Sequence, residues 1–348
     1  MAKRRCEFWD RKNPPEHPKA GWRPVSASIV DQNDLCACSV LDKVPVLASC
    51  VVLLTKSNER RLARARMMPL VTWTDSTEED QGMLKGYTLP LSPEGEANIV
   101  PTPPWHYSGD VLAIEFWTDP QAAAACLPPG LKADQCADGH ALGLFVDWQF
   151  TAQDDEFLDP AKYQYREFYV LVDAVWRDTP VAWCPYIYVD NDAAMGRGWI
   201  QGYPKKLASV FQTRSFAAAS PAAAPIAAGT TFAGSMSVHG RRAAAGRVTL
   251  REQVPELPAA LLRPTVNRRY FPRLTAGQHD QPSVNELTMV VNDDFKFTNC
   301  WVGEGKIALP KTAGEELDAL APMRVGSGYR FSMSCTIKDL KILDGLGS

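Results

Sequence analysis

Beyond about residue 100 the chain breaks into short runs rich in β-branched and aromatic residues, separated by Gly, Pro, Asn and Asp. That pattern predicts strands and turns rather than long amphipathic helices. Residues 111–117 read as a strand. Asp119-Pro120 followed by 121–126 predicts a short Ala-rich helix, with Asp119 as its N-cap and proline in its first turn, and Leu127-Pro128-Pro129-Gly130-Leu131 stops it. Strands are predicted next over 141–150, over the alternating stretch 167–176, and over 181–189 before an Asn191-Asp192 turn. Later candidates are 207–214, 231–238, 247–251, 287–292 and 329–343. The alanine-rich insertion 216–225 is read as a loop because Pro221 and Pro225 interrupt any helix. Together these elements predict a β-rich α+β domain whose sheet curves around a pocket.

The first eighty residues have a different composition. Lys3-Arg4-Arg5 leads into the polar, proline-rich run Asn13-Pro14-Pro15-Glu16-His17-Pro18, where a signal peptide would need apolar residues. The apolar run 44–54 holds Pro45, is too short to span a bilayer, and is read as a buried strand or helix. A basic stretch at 59–66 and an acidic one at 75–80 suggest a linker. The expected organisation is an extension over 1–82, poorly ordered or loosely packed, and one domain over 83–348. A cytoplasmic location with no membrane partner is expected.

Composition narrows the function. With 348 residues, 45% apolar and 22% charged, the chain suits a soluble globular enzyme. A net charge of −3 without a Lys/Arg stripe interleaved with aromatics argues against nucleic acid and for a small-molecule partner. Nine cysteines without a CxxC pair and five scattered histidines build no zinc site, so no metal is expected. A Gly-rich phosphate loop and a Gly-x-Ser-x-Gly elbow are both missing, and no cofactor is expected.

The strongest chemical signal is Gln201-Gly202-Tyr203-Pro204-Lys205-Lys206-Leu207. Two lysines follow a Gly-aromatic-Pro turn in apolar company, and no carboxylate lies between Asp192 and Glu252 along the chain. Burial disfavours the ammonium form, and a neutral lysine is a nucleophile that condenses with a ketone or aldehyde. If the pair continues into a strand, the two side chains point to opposite faces, so desolvation should outweigh repulsion between them.

The run Gly202 to Ala208 resembles the Gly-Phe-Pro-Lys-Lys-Leu-Ala segment of the acetoacetate decarboxylase family, whose known chemistry is a Schiff base on a lysine activated by desolvation or a neighbouring cation. The resemblance extends over about 83–343. It implies a curved antiparallel sheet closing into a cone-like barrel around a central pocket, a homo-oligomer, and a Schiff base on Lys205 with Lys206 beside it. Tyr165-Arg166-Glu167 matches the family's Tyr-x-Glu pattern, which makes Glu167 the expected proton shuttle. Asp147 and Gln149 are further pocket candidates. The chain departs from the family in having no arginine between Met67 and Tyr165, and in carrying Gly196-Arg197-Gly198-Trp199 where the family has Gly-Arg-Glu. Arg197 or Arg166 is expected to hold a substrate carboxylate, with Tyr203 and Gln201 lining the site. Arg268, Arg269, His279 and Asp280 are weaker candidates for the pocket mouth. The leading expectation is decarboxylation of a 3-oxo acid such as acetoacetate. The alternatives are aldol, dehydration or cyclisation chemistry on a 2-oxo acid, and a non-enzymatic ligand-binding β-domain.

Overall fold

Val111, Leu112, Ala113 and Ile114 are consecutive and all fully buried, which a strand achieves only when both of its faces are covered. The computed structural model, which describes residues 83–218 and 220–345, shows what covers them. In chain order the elements are β1 (Trp105–Trp117), α1 (Pro120–Ala125), β2 (Leu131–Ala133), β3 (His140–Thr151), α2 (Pro160–Tyr163), β4 (Gln164–Trp176), β5 (Thr179–Val189), α3 (Asp192–Gln201), β6 (Lys205–Leu207), β7 (Ser209–Gln212), β8 (Thr231–Val238), β9 (Arg241–Gln253), β10 (Thr265–Phe271), β11 (Val284–Ala308) and β12 (Arg324–Gly345). The predicted helix is present as α1, with the Asp119 carboxylate accepting from the Gln121 amide at 2.8 Å. The predicted extension and the run 44–54 lie outside the described residues.

The strands pair in the order β10-β5-β4-β3-β1-β12-β11-β9-β8-β7, and β10 also pairs with β11, so seven strands close into a ring. Its inner face carries an apolar cluster that includes Tyr107, Val111, Trp148, Tyr165, Ile187 and Phe331. The opposite face of β1, β3 and β4, with Leu112, Ile114, Phe145 and Phe168, packs against Phe232, Met236 and Val248 of β8 and β9, each large side chain contributing about 1.5–3 kcal/mol by leaving water. Gly246 permits this approach, because an added Cβ there would stand 2.8 Å from Cε2 of Phe145.

The expectation of a closing curved sheet is borne out, with one correction: the sheet is mixed. Most pairings are antiparallel, but β10 and β6 both run parallel to β5. A parallel neighbour requires a crossover, and α3 supplies the one between β5 and β6. The stretch predicted as one strand over 207–214 is two short ones, β6 and β7, separated at Ala208. Among the described residues no helix is long and apolar enough to cross a membrane.

A buried charged cluster sits where β1 ends and β3 begins. His140 Nδ1 lies 2.9 Å from Asp173 and Nε2 3.8 Å from Glu115, while Arg263 bridges Asp173 at 3.2 Å and Asp134 at 2.8 Å. Burial by itself would lower the imidazole pKa, but the Asp173 and Glu115 carboxylates overcome this and raise it from 6.5 to about 9. A pKa raised by folding stabilises the native state fully below the unfolded value, and that contribution is lost as pH rises through the folded value. Denaturant midpoints are therefore expected to fall between about pH 6.5 and 9, with a smaller decline over that window in His140→Gln. An equal slope in both proteins would refute the assignment.

Candidate active site

Helix α3 presents Ala193, Ala194, Arg197, Gly198 and Gln201 to the interior, a helical stripe by spacing although its members are small or polar. The Asn191 side chain caps its start by accepting from the Ala194 amide at 2.8 Å. Gly202 ends it at φ 94°, a left-handed conformation that favours glycine. A Cβ on Gly202 would also stand 2.8 Å from Thr288 Oγ1 and 2.9 Å from the Arg269 amide. The chain then turns through Tyr203 and Pro204 into β6, where Lys205 pairs in parallel with Ile187.

Lys205 points into the ring and Lys206 away from it. The Lys205 side chain is 7% exposed and its Nζ lies 2.6 Å from Oε2 of Glu167, itself 7% exposed. Trp148 Nε1 donates to the other carboxylate oxygen at 3.3 Å. Gly109 makes room for that indole, since a Cβ there would be 2.6 Å from Trp148 Cε3. From the opposite side α3 crosses the lysine stem: a Cβ on Gly198 would overlap Lys205 Cδ and lie 2.6 Å from Cγ and 2.7 Å from Cε. Trp199 Nε1 donates to the Lys205 carbonyl at 2.9 Å. Both ends of the lysine are thus held. Burial lowers its pKa, against the carboxylate of Glu167, which raises it; Arg197 lowers it further.

Around this pair stand phenols and one guanidinium. The Lys205 amine is 5.4 Å from the ring centre of Tyr165 and 5.9 Å from that of Tyr203. Burial raises the pKa of Tyr107 to about 12 and pushes Tyr165, Tyr169 and Tyr203 up as well, so these groups remain protonated donors at neutral pH. Arg197 is 1% exposed, its guanidinium stacked 3.7 Å over Phe150 and flanked by Tyr165 at 5.2 Å and Tyr107 at 5.9 Å. Its three side-chain nitrogens make no well-aligned hydrogen bond, although the Tyr107 and Tyr165 hydroxyls lie within bonding reach. A buried cation in that state suits an incoming anion.

The family model described as acetoacetate decarboxylase matches residues 88–346. The chain belongs to the acetoacetate decarboxylase family. The enduracididine biosynthesis enzyme MppR, solved with the condensation product of pyruvate and imidazole 4-carboxaldehyde, is 35% identical, with a TM-score of 0.69, covering 74% of this chain and 96% of its own. An acetoacetate decarboxylase-like enzyme from Sphingomonas wittichii RW1 is 27% identical, with a TM-score of 0.68 over 75% of this chain and 100% of its own. The acetoacetate decarboxylase of Legionella pneumophila is 18% identical, with a TM-score of 0.60 over 77% of this chain and 99% of its own, a likeness of fold. None of the curated proteins compared with the chain matches it.

Within the family frame, Lys205, Glu167, Tyr203 and Arg197 come together as the sequence suggested. Other candidates do not. Lys206 lies on the opposite face, its amine 2.5 Å from Glu315 Oε1, because successive residues of a strand alternate; burial, not its charge, is the leading cause of the lowered Lys205 pKa. Arg166 is likewise turned outward by its position next to Glu167, stacked over Phe211 and 3.8 Å from Asp190. Gln201 is buried at the helix end, where its amide donates to the Arg197 carbonyl at 3.1 Å and its own carbonyl accepts from Thr288 at 2.8 Å, so it braces α3. Asp147 pairs with Arg214 and Gln149 with Gln164 on the outer side of β3. Arg268 and Arg269 bind Asn285 and Glu286 across the β10 and β11 hairpin, and His279 binds the Leu274 carbonyl. Sequence reading missed Trp148, flanked by the two outward-facing candidates: an alternating strand puts it on the inner face once its neighbours are outward.

Two surface grooves lie away from the amine. One of about 650 Å³ is lined by Phe211, Arg242, Arg247 and Lys306, among others. The other, of about 710 Å³, reaches Tyr107, Trp148 and Phe150, which also wall the lysine site.

Proposed function

We propose that this protein forms a Schiff base between Lys205 and a 2-oxo acid and joins the resulting enamine to an aldehyde with loss of water. The observation that carries the reading is the buried Lys205–Glu167 pair, 2.6 Å apart, in which the amine's pKa is depressed by burial. The neutral amine attacks the ketone carbon, and the resulting carbinolamine takes up a proton from solvent and loses water, giving an iminium. Glu167 then takes a proton from the neighbouring carbon, and the electron pair flows into the iminium as an enamine. The enamine carbon bonds to the aldehyde carbon, whose oxygen recovers the proton from Glu167. Elimination of that hydroxyl as water and hydrolysis of the imine release the product. Arg197 supplies the counter-charge for the acid's carboxylate.

The condensation reading takes support from MppR, at 35% identity, which has been solved with pyruvate and with its condensation product. Decarboxylation of a 3-oxo acid, the leading expectation from sequence, is the second reading, supported by an arginine able to grip a carboxylate; the relatives named acetoacetate decarboxylase, at 17–18% identity, argue for the fold only. The test is to incubate the protein with pyruvate or acetoacetate, reduce with borohydride, map the adduct, and follow both carbon dioxide release and condensation with imidazole 4-carboxaldehyde. Pyruvate trapped on Lys205 and a condensation product are expected. Carbon dioxide from acetoacetate at an enzyme-like rate without condensation would install the decarboxylase reading, and no adduct with any oxo acid would refute both.

Arg197→Met is expected to raise the KM for pyruvate about 10- to 100-fold, the worth of charge-assisted hydrogen bonds, while thermal stability holds or rises because a buried cation without a carboxylate partner among the described residues is removed. An unchanged KM would remove Arg197 from carboxylate binding.

A further inference from the structure

A second buried polar side chain near Lys205 is short of hydrogen-bond partners. Asn267 on β10 is 0% exposed; its amide lies within bonding reach of the Tyr203 hydroxyl, but neither its Oδ1 nor its Nδ2 completes a well-aligned hydrogen bond. Register fixes the direction in which it faces. Val266 lies beside Trp183 in the parallel pairing of β10 with β5, and both side chains belong to a separate apolar cluster with Leu131, Val181 and Leu287. The next residue on each strand therefore turns to the other face. Cys184 is accordingly part of the inner cluster, and Asn267 lies beside the Tyr203 phenol, which also neighbours Cys184 and Thr265. Tyr203 in turn adjoins the Lys205 amine.

Arg197 stands among Tyr107, Phe150 and Tyr165, on the side of β1, β3 and β4. Asn267 is on the side of β5 and β10, with Lys205 between Tyr165 and Tyr203. A buried amide whose hydrogen-bonding capacity is not filled costs on the order of 1–3 kcal/mol, and such a group in a native core calls for an explanation. A ligand that completes it is the explanation its position favours.

We propose that Asn267, with the Tyr203 hydroxyl, forms a second polar subsite across Lys205 from Arg197, which takes the carbonyl oxygen of a neutral aldehyde. This rests on the Schiff-base condensation reading. As the enamine carbon bonds to the aldehyde carbon, the carbonyl π pair moves onto oxygen, where the Asn267 Nδ2–H and the Tyr203 O–H donate to the growing charge. The oxygen then takes the proton that Glu167 had removed from the nucleophilic carbon, and the new hydroxyl donates to Asn267 Oδ1. An amide offers both the donors and the acceptor that this change requires. The adjacent cations Arg268 and Arg269 are engaged with Asn285 and Glu286, so the subsite suits a neutral carbonyl rather than a second carboxylate.

The test compares the parent protein with Asn267→Ala and Asn267→Leu in three assays: borohydride trapping of pyruvate on Lys205, deuterium exchange into the pyruvate methyl group, and condensation of pyruvate with benzaldehyde or imidazole 4-carboxaldehyde. Trapping and exchange are expected to stay within about 2-fold while condensation turnover falls roughly 10²- to 10³-fold, the usual effect of deleting one oxyanion donor. The unfolding midpoint of Asn267→Leu is expected to hold or rise, which separates a subsite from a structural role. Condensation within a few-fold of the parent in both variants would overturn the proposal. So would loss of trapping along with condensation, which would make Asn267 a support for Lys205, and so would failure of the parent to condense either aldehyde despite trapping pyruvate. A parent protein that traps no pyruvate would instead refute the underlying Schiff-base reading, and the subsite with it.

Discussion

Gly198→Ala is expected to lower turnover by roughly 10²-fold or more, the loss that follows when a reacting group is misplaced by about 1 Å. In an isolated helix this substitution would help, since alanine is favoured over glycine by about 1 kcal/mol. Here the new Cβ would overlap the Lys205 stem from Cγ to Cε. The stem has little freedom to yield, being fixed at one end by β6 and the Trp199 bond to its carbonyl, and at the other by Glu167. The amine must therefore leave the carboxylate or α3 must lift. Borohydride trapping of pyruvate, turnover and unfolding midpoint measured together distinguish these outcomes: slower trapping with a preserved midpoint indicates displacement of the amine. Parent-like trapping and turnover in a protein that folds normally would contradict the packing described for this helix.

Glu167→Gln is expected to leave imine formation in place while turnover falls by about 10² to 10⁴, the range for removing a general acid–base group. Glutamine retains the size of the side chain and an acceptor for the Trp148 indole, but it shuttles no proton. The sign of the accompanying pH change follows from the electrostatics of the amine. Glu167 raises the pKa of Lys205 against burial, so its neutralisation lets that pKa fall further and extends the neutral amine to lower pH. The acid limb of the trapping rate should move downward in the variant. A limb that moves upward, or turnover within a few-fold of the parent, would remove Glu167 from both roles. Deuterium exchange at the pyruvate methyl group should fall in parallel with turnover, because the same carboxylate is assigned the removal of that proton.

The sequence by itself determined the local features: the capped helix after Asp119, the strands whose alternation is regular, the loop at 216–225 and the lysine pair after its Gly-Tyr-Pro turn. It also determined that Lys205 and Lys206 diverge, since alternation in a strand requires only the neighbouring residue. Helix α3 was not legible, because its buried stripe is Ala, Ala, Arg, Gly and Gln and carries no hydrophobic periodicity; two glycines within it also lower helix propensity. The partners of the lysines were hidden for a related reason. No carboxylate is near them along the chain, yet Glu167 reaches Lys205 from 38 residues away and Glu315 reaches Lys206 from 109. Tertiary structure alone decided those pairings, along with the parallel run of β6 on β5 and the separation of Arg197 from Arg166 onto different faces. Each depends on which strands become neighbours when the ring closes. That choice is made by burial summed over the whole sheet, whereas the pattern of any one segment specifies only which of its side chains point the same way.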